Sequence, residues 1–274
     1  MSFKNILCAL APAAGKQSCA TFSVSMGEAL GAHVTGCSYV MNPDLTGRGL
    51  PWFPEELVAT LLADGTKKAH LAVEEFQRVA KQAKVKTTTE VLRASLDRAV
   101  TAFGEQARLY DVAVVTQSDR GAEHVGDLFA EAALFYSGRP LIVVPRDHAK
   151  PFCLDRILIA WDGSQQAARA VAHAMPLLTQ STKVEILVIG NKEKIERTHA
   201  PKIVANLERH GMNVELVCRD DSDDANAIAR EAKVWAANLL VMGGYGHSRA
   251  REIFFGGVTR FMMSETPLAV LMAN

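Results

Sequence analysis

The sequence is poor in the features that announce most common chemistries. Thirty basic and thirty acidic residues cancel among 274, leaving a formal charge of zero. No global field therefore draws the chain to nucleic acid or to an anionic membrane. Half the residues are apolar, yet no run reaches the roughly 18 uninterrupted apolar positions of a membrane span. The five cysteines, Cys8, Cys19, Cys37, Cys153 and Cys218, are odd in number and never spaced as CxxC, which argues for reduced thiols. Three of them, Cys8, Cys37 and Cys218, sit in apolar, strand-like surroundings, where a thiol behaves as a small hydrophobe. The eight histidines form no HExxH or paired spacing, so no metal is indicated. The start, Met1-Ser2-Phe3-Lys4-Asn5-Ile6, enters a strand pattern directly and lacks the profile of a signal peptide, from which a soluble cytoplasmic protein is expected.

What is present is an alternation. Apolar strand patterns at 6–9, 34–40, 87–92, 112–116 and 140–144 are separated by helical patterns at 16–30, 67–84, 97–109 and 122–136. In the third of these helices Asp97 stands where a cap belongs. Leu71, Phe76 and Val79 are buried candidates on the 67–84 helix. A Pro- and Gly-rich insertion at 41–65 precedes that helix, containing Leu50-Pro51-Trp52-Phe53-Pro54 and an apolar 56–62 segment. After a linker at 146–154 the alternation begins again. Strands are expected at 156–161, 184–189, 214–217, 239–243 and 267–272, with helices at 165–178, 199–210, 224–236 and 258–264. Strand and helix in repeated succession argue for a parallel sheet covered on both faces.

The second half reads as a copy of the first. Asn5-Ile6-Leu7-Cys8-Ala9 lies over Arg156-Ile157-Leu158-Ile159-Ala160. Gly138-Arg139-Pro140-Leu141-Ile142-Val143-Val144 lies over Glu265-Thr266-Pro267-Leu268-Ala269-Val270-Leu271, at an offset that also aligns 112–115 with 239–242 without a gap. Two tandem α/β domains are expected, 1–147 and 153–274.

The chemistry concentrates near the end. The apolar run Leu239-Leu240-Val241-Met242 breaks into Gly243-Gly244-Tyr245-Gly246, and a second pair, Gly256-Gly257, precedes a helical Val258-Thr259-Arg260-Phe261. Glycines between a strand and a helix let backbone N–H groups crowd one anion, because no side chain blocks the approach. This outlines a phosphate cradle, and His247, Arg249 and Arg251 between the pairs offer cations or a solvated surface. The GxxxxGK[ST] loop of phosphoryl-transfer enzymes is missing, and so is a second acid near the glycines. Trp161-Asp162-Gly163-Ser164 does not match the S-G-G-x-D-S loop of adenylating enzymes either.

Spacing of the form G-x2-G-x9-G resembles the universal stress proteins, whose nucleotide-binding members carry it after the fourth strand and follow it with Ser or Thr. Gly243, Gly246 and Gly256 match; Gly257 departs, removing a hydroxyl while keeping the N–H. The resemblance implies two doubly wound domains of strand order 3-2-1-4-5. In that order the fifth strands, at 141–144 and 268–271, are apolar edges, so the halves are expected to pair antiparallel within the chain as a pseudo-dimer, with homodimerisation through other surfaces left open; the alternative is that each edge pairs with another chain. It implies ATP, with or without Mg, in the second domain, and slow hydrolysis at most. Asp162 would meet the nucleoside, Val188 the adenine and Met242 the space beside Gly243. Val258 and Thr259 would open the helix facing the phosphates. Two local readings stay open: Asp162 as a helix cap shared with Ser164, and Val188 and Met242 as plain core. In the first half Ala11 replaces the acid, Thr116-Gln117-Ser118-Asp119 replaces the glycine turn, and Phe129-Ala130 falls where Gly256-Gly257 stands, so no nucleotide is expected there. The competing functional reading is a partner-binding scaffold with both sites vestigial.

Overall fold

The computed structural model describes residues 2–10, 18–41, 55–117, 125–244 and 257–274. The first half comprises β1 (Asn5–Ala9), α1 (Ser18–Leu30), β2 (His33–Met41), α2 (Glu55–Ala83), β3 (Thr87–Ala94), α3 (Leu96–Ala107), β4 (Val112–Thr116), α4 (Val125–Tyr136) and β5 (Leu141–Val144). The second comprises β6 (Arg156–Ala160), α5 (Gln165–Leu178), β7 (Lys183–Ile189), α6 (Lys192–Arg197), α7 (Ala200–Arg209), β8 (Val214–Arg219), α8 (Asp224–Val234), β9 (Leu239–Gly243), α9 (Gly257–Ser264) and β10 (Ala269–Ala273).

All ten strands form one sheet, in the order β3-β2-β1-β4-β5-β10-β9-β6-β7-β8. Each half thus has the expected 3-2-1-4-5 order, and the two fifth strands join the halves. Neighbours within a half are parallel, while β10 runs antiparallel to β5. An apolar strand left at an edge would expose a row of unpaired donors and acceptors; here each fifth strand satisfies the other. The outer strands β3 and β8 consist of half-buried and exposed residues, including Thr, Glu and Arg, as suits water-facing edges.

Strands buried on both faces read as continuous apolar runs, and successive side chains enter opposite layers. Ile6, Val114, Ile142, Ile159, Val188 and Leu271 pack under α1, α2, α5 and α7. Leu7, Val115, Val143, Leu158, Met242 and Val270 pack under α3, α4, α8 and α9 on the other face. The linker is fastened to the first half: Phe152 N–H donates to Ser25 Oγ at 3.0 Å, and His148 and Phe152 both meet Phe22 edge-on, at 5.4 and 5.5 Å.

The structure corrects several expectations. Helix α2 is continuous from Glu55, so the segment at 55–65 is its first part and not a separate loop and short helix; residues 42–54 lie outside the described residues. Leu71 on that helix is 52% exposed, whereas Phe76 is buried; one face alone meets the sheet. The helix expected at 199–210 is preceded by α6, whose start is capped by Asn191 accepting from Lys194 N–H at 2.9 Å. Ser95, not Asp97, occupies the cap position of α3, and Asp97 lies in its first turn. Cys218 is exposed, because it faces outward on an edge strand.

The gapless alignment also fails at the last strand. Ala113 faces Leu141, but Leu240, 127 residues after Ala113, faces Val270, 129 residues after Leu141. A slip of two residues keeps every side chain on its own face, and the apolar pattern cannot distinguish it. With that equivalence the seam pairs, Leu141 with Met272, Ile142 with Leu271 and Val143 with Val270, are symmetric about Ile142 and Leu271. A local twofold axis passes between those two residues.

Candidate functional site

In an open α/β sheet ligands bind beyond the C-terminal strand ends where strand order reverses. In the second half that point lies between β6 and β9, which pair directly through Ala160 and Met242. Asp162 leaves β6 and Gly243 ends β9, so the two are brought to the same edge. The turn between β6 and α5 is built tightly. Gly163 has φ +78° and its missing Cβ would lie 3.0 Å from Thr198 Cα, so a side chain is excluded by conformation and by contact. Trp161 Nε1–H donates to Thr198 O at 2.9 Å, fastening the turn to the corner between α6 and α7.

Asp162 is exposed, and its Oδ1 accepts from Ser164 N–H at 2.9 Å. Ser164 is the cap of α5, its Oγ accepting from Ala167 N–H at 3.1 Å. The two residues divide the roles: Ser164 closes the helix start, and Asp162 orders the turn with one oxygen while its carboxylate stays at the surface.

Gly243 serves packing. A Cβ there would sit 2.6 Å from Ala167 N and 2.8 Å from Gln166 C, both backbone atoms of the first turn of α5. The glycine lets that helix start abut the strand end. Gly244 donates to Ala273 O at 2.9 Å, and a Cβ there would lie 2.9 Å from Leu134 of the first half. Gly257 is different: it is exposed in α9, and among the described residues a Cβ would meet nothing within 4 Å. The first N–H groups of a helix carry partial positive charge and seek an acceptor. Val258 follows half-buried, and Thr259 is 5% exposed, so its side chain turns into the protein.

Val188 is fully buried on the α5 and α7 face, and Met242 is 5% exposed on the opposite face beside the α9 layer. Their side chains underlie the site from two sides of the sheet. Gly246, Gly256, His247, Arg249 and Arg251 lie outside the described residues, as do Ala11 and Asp119. Sequence reasoning missed the Thr198 corner and Gly190, where φ is +142° and the Lys194 side chain lies across the missing Cβ. Lys194 also meets Asp224 at 3.2 Å, joining α6 to α8 beyond the end of β7. The Asp-Gly step at 162–163 was the local signal for a tight turn; nothing in the sequence placed Thr198 against it.

Residues 189–274 match the family model described as the universal stress protein family. The match lies within the second half and runs from the end of β7 to the last residue. A universal stress protein of Synechocystis is 27% identical over 143 residues, covering 48% of this chain and 46% of that protein. The chain thus spans less than half the length of that curated relative. Among solved structures, a universal stress protein from Archaeoglobus fulgidus superposes with a TM-score of 0.72 at 15% identity, covering 98% of each chain. A putative universal stress protein from Pseudomonas aeruginosa gives 0.64 at 12% identity, covering 99% of this chain and 93% of the other. At such identities the likeness establishes the fold, which here extends over both halves and not only over the residues that the family model matches.

Proposed function

We propose that the chain is a cytoplasmic stress-response regulator whose second domain, 153–274, binds one adenine nucleotide, ATP, at the β6 and β9 strand ends. The observation that carries this reading is that the exposed Asp162 carboxylate and the glycine end of β9 stand together at the reversal of strand order. The residues fit an anion at α9 better than at α5, since Ser164 caps α5 and Gly243 is filled by its backbone. Gly246, Gly256, Gly257 and the first N–H groups of α9, at Val258 and Thr259, would hold the phosphates. Asp162 would accept from a sugar hydroxyl, away from the phosphates. Val188 and Met242 would form the floor. Bound ATP supplies a phosphoanhydride, with Mg carried on its phosphates; the chain adds binding and orientation, which supports slow hydrolysis at most.

The first domain, 1–147, serves as the partner of the second. Phe129 lies at least one turn inside helix α4, packed at 5.0 Å on Tyr39 and 5.4 Å on Phe103. Phe129 and Ala130 therefore belong to a helix interior, not to a helix start open to anions. One nucleotide per chain is the expected stoichiometry. Mass spectrometry of gently denatured protein, before and after incubation with ATP, tests the reading. A second reading, a scaffold that binds a partner protein, is favoured by the full burial of Val188 and the filled approach at Gly243. Stoichiometric ATP, ADP or AMP would reject the scaffold; no nucleotide after saturating incubation would reject the binder.

A further inference from the structure

Glu185 stands in the middle of β7, 2% exposed, with Oε1 buried and without a hydrogen-bond partner. A buried carboxyl in that position is costly as an anion unless a cation or donors meet it. On β8, Glu215 lies directly opposite in register, and Arg219 is four residues further along the same face. From α8, Glu231 faces it, 8% exposed, and from β6 the neighbour in register is the apolar Leu158. The cation is engaged elsewhere: Arg219 donates to both oxygens of Glu231, at 2.8 and 2.9 Å. Two carboxylates thus confront Glu185, and the guanidinium beside them holds Glu231, the residue that seats α8 on the sheet.

We propose that Glu185 is a proton latch for α8: while its carboxyl is protonated the helix is seated on β7 and β8, and loss of that proton loosens it. The latch does not depend on nucleotide binding. Burial first, then Glu231 and Glu215, push Glu185 up from 4.5 to about 7, against a smaller opposing effect of Arg219. The seated state therefore holds the proton more tightly than the opened one. Its advantage is full below 4.5 and is lost as pH rises to about 7. The consequence reaches the strand ends, because Asp224 at the start of α8 meets Lys194 of α6. The first half has no counterpart: Leu7 faces Thr35 where Leu158 faces Glu185, and Thr35 pairs with Thr88 where Glu185 pairs with Glu215.

Hydrogen exchange, corrected for intrinsic rates, tests the latch on the full chain. Protection of the α8 amides, including Ala227, Ile228 and Ala232, should fall at least about tenfold between about pH 5.5 and about pH 8, relative to α7 on the opposite face. Glu185→Gln, which keeps the shape without the charge, should remove the pH dependence. Glu215→Gln, on the exposed edge, should move its midpoint to lower pH, and this variant decides the matter if the first does not fold. Parallel changes in α8 and α7, a response that survives in Glu185→Gln, or an unmoved midpoint in Glu215→Gln would overturn the proposal.

Discussion

The two halves share a strand order and differ at their strand ends. Thr116 ends β4 beside Val144, and Gly243 ends β9 beside Ala273, at corresponding places in the two ladders. A threonine side chain at the first place and the backbone of α5 at the second fill the same kind of space by opposite means. In the first half an aromatic cluster of Tyr39, Phe103 and Phe129 occupies the inner side of the helix that follows. Strand interiors tolerate little change, because both faces are buried and register is set by the apolar pattern. Loops at the strand ends answer to what they bind. The comparison separates residues that make the sheet from residues that make a site, and glycine belongs to both classes within one turn of chain.

Breaking the seam should have the largest effect. Val270 is bonded to β9 on one side and faces Val143 on the other, so Val270→Pro should cost about 3 kcal/mol or more in denaturant unfolding. The loss should be the same at every protein concentration, since both strands belong to one chain; a loss that vanishes on concentrating the protein would mean the edges pair between molecules. Gly243→Val comes next. Its Cβ meets the α5 backbone, so about 3 kcal/mol of stability should go together with any nucleotide binding, and an unchanged melting curve would contradict the packing described here. Asp162→Ala separates site from scaffold. Calorimetric titration with ATP should show about tenfold weaker binding, about 1.4 kcal/mol, with stability within about 0.5 kcal/mol of the parent. Substitution of Ala11 or Asp119 should leave the isotherm at one site per chain. The smallest effect belongs to Gly257→Ser, which places a hydroxyl in open space: stability should hold within about 0.5 kcal/mol and ATP affinity should rise a few-fold, and weaker binding would show that the departure at Gly257 is not a lost contact.

Much of the scaffold was legible because it rests on local rules. The short apolar runs at 239–242 and 141–144, set between turn signals in a strand-helix alternation, read as buried strands, and an apolar fifth strand at an edge calls for a partner. The two-residue slip of β10 was invisible, since a period of two is all the pattern encodes. Helix α6 was missed because six residues rich in Lys and Glu carry no apolar stripe. For the candidate site, the glycines were singled out by spacing and Asp162 by its place after the first strand of its half and by resemblance, and the structure brings Asp162 and Gly243 to one edge. Their local work was not legible: that Gly243 makes room for a helix, or that Gly163 rests on Thr198, depends on contacts between segments far apart in sequence. Glu185 was passed over as one polar residue in an apolar strand, and its meaning came from Glu215 and Glu231 across the fold.

The seam between β5 and β10 turns an association into an intramolecular certainty. A partner held by a short linker is present at an effective concentration that no dissociable subunit sustains in dilute solution. The first half can therefore lose an acid and a glycine turn without weakening the assembly, so long as Leu141, Ile142 and Val143 keep their register with Met272, Leu271 and Val270. Antiparallel joining also points the strand ends of the halves in opposite directions. Change can accumulate at one end of the molecule without passing to the other, and the seam strand β10, paired with β9 on one side and with β5 of the first half on the other, is the element that both halves share.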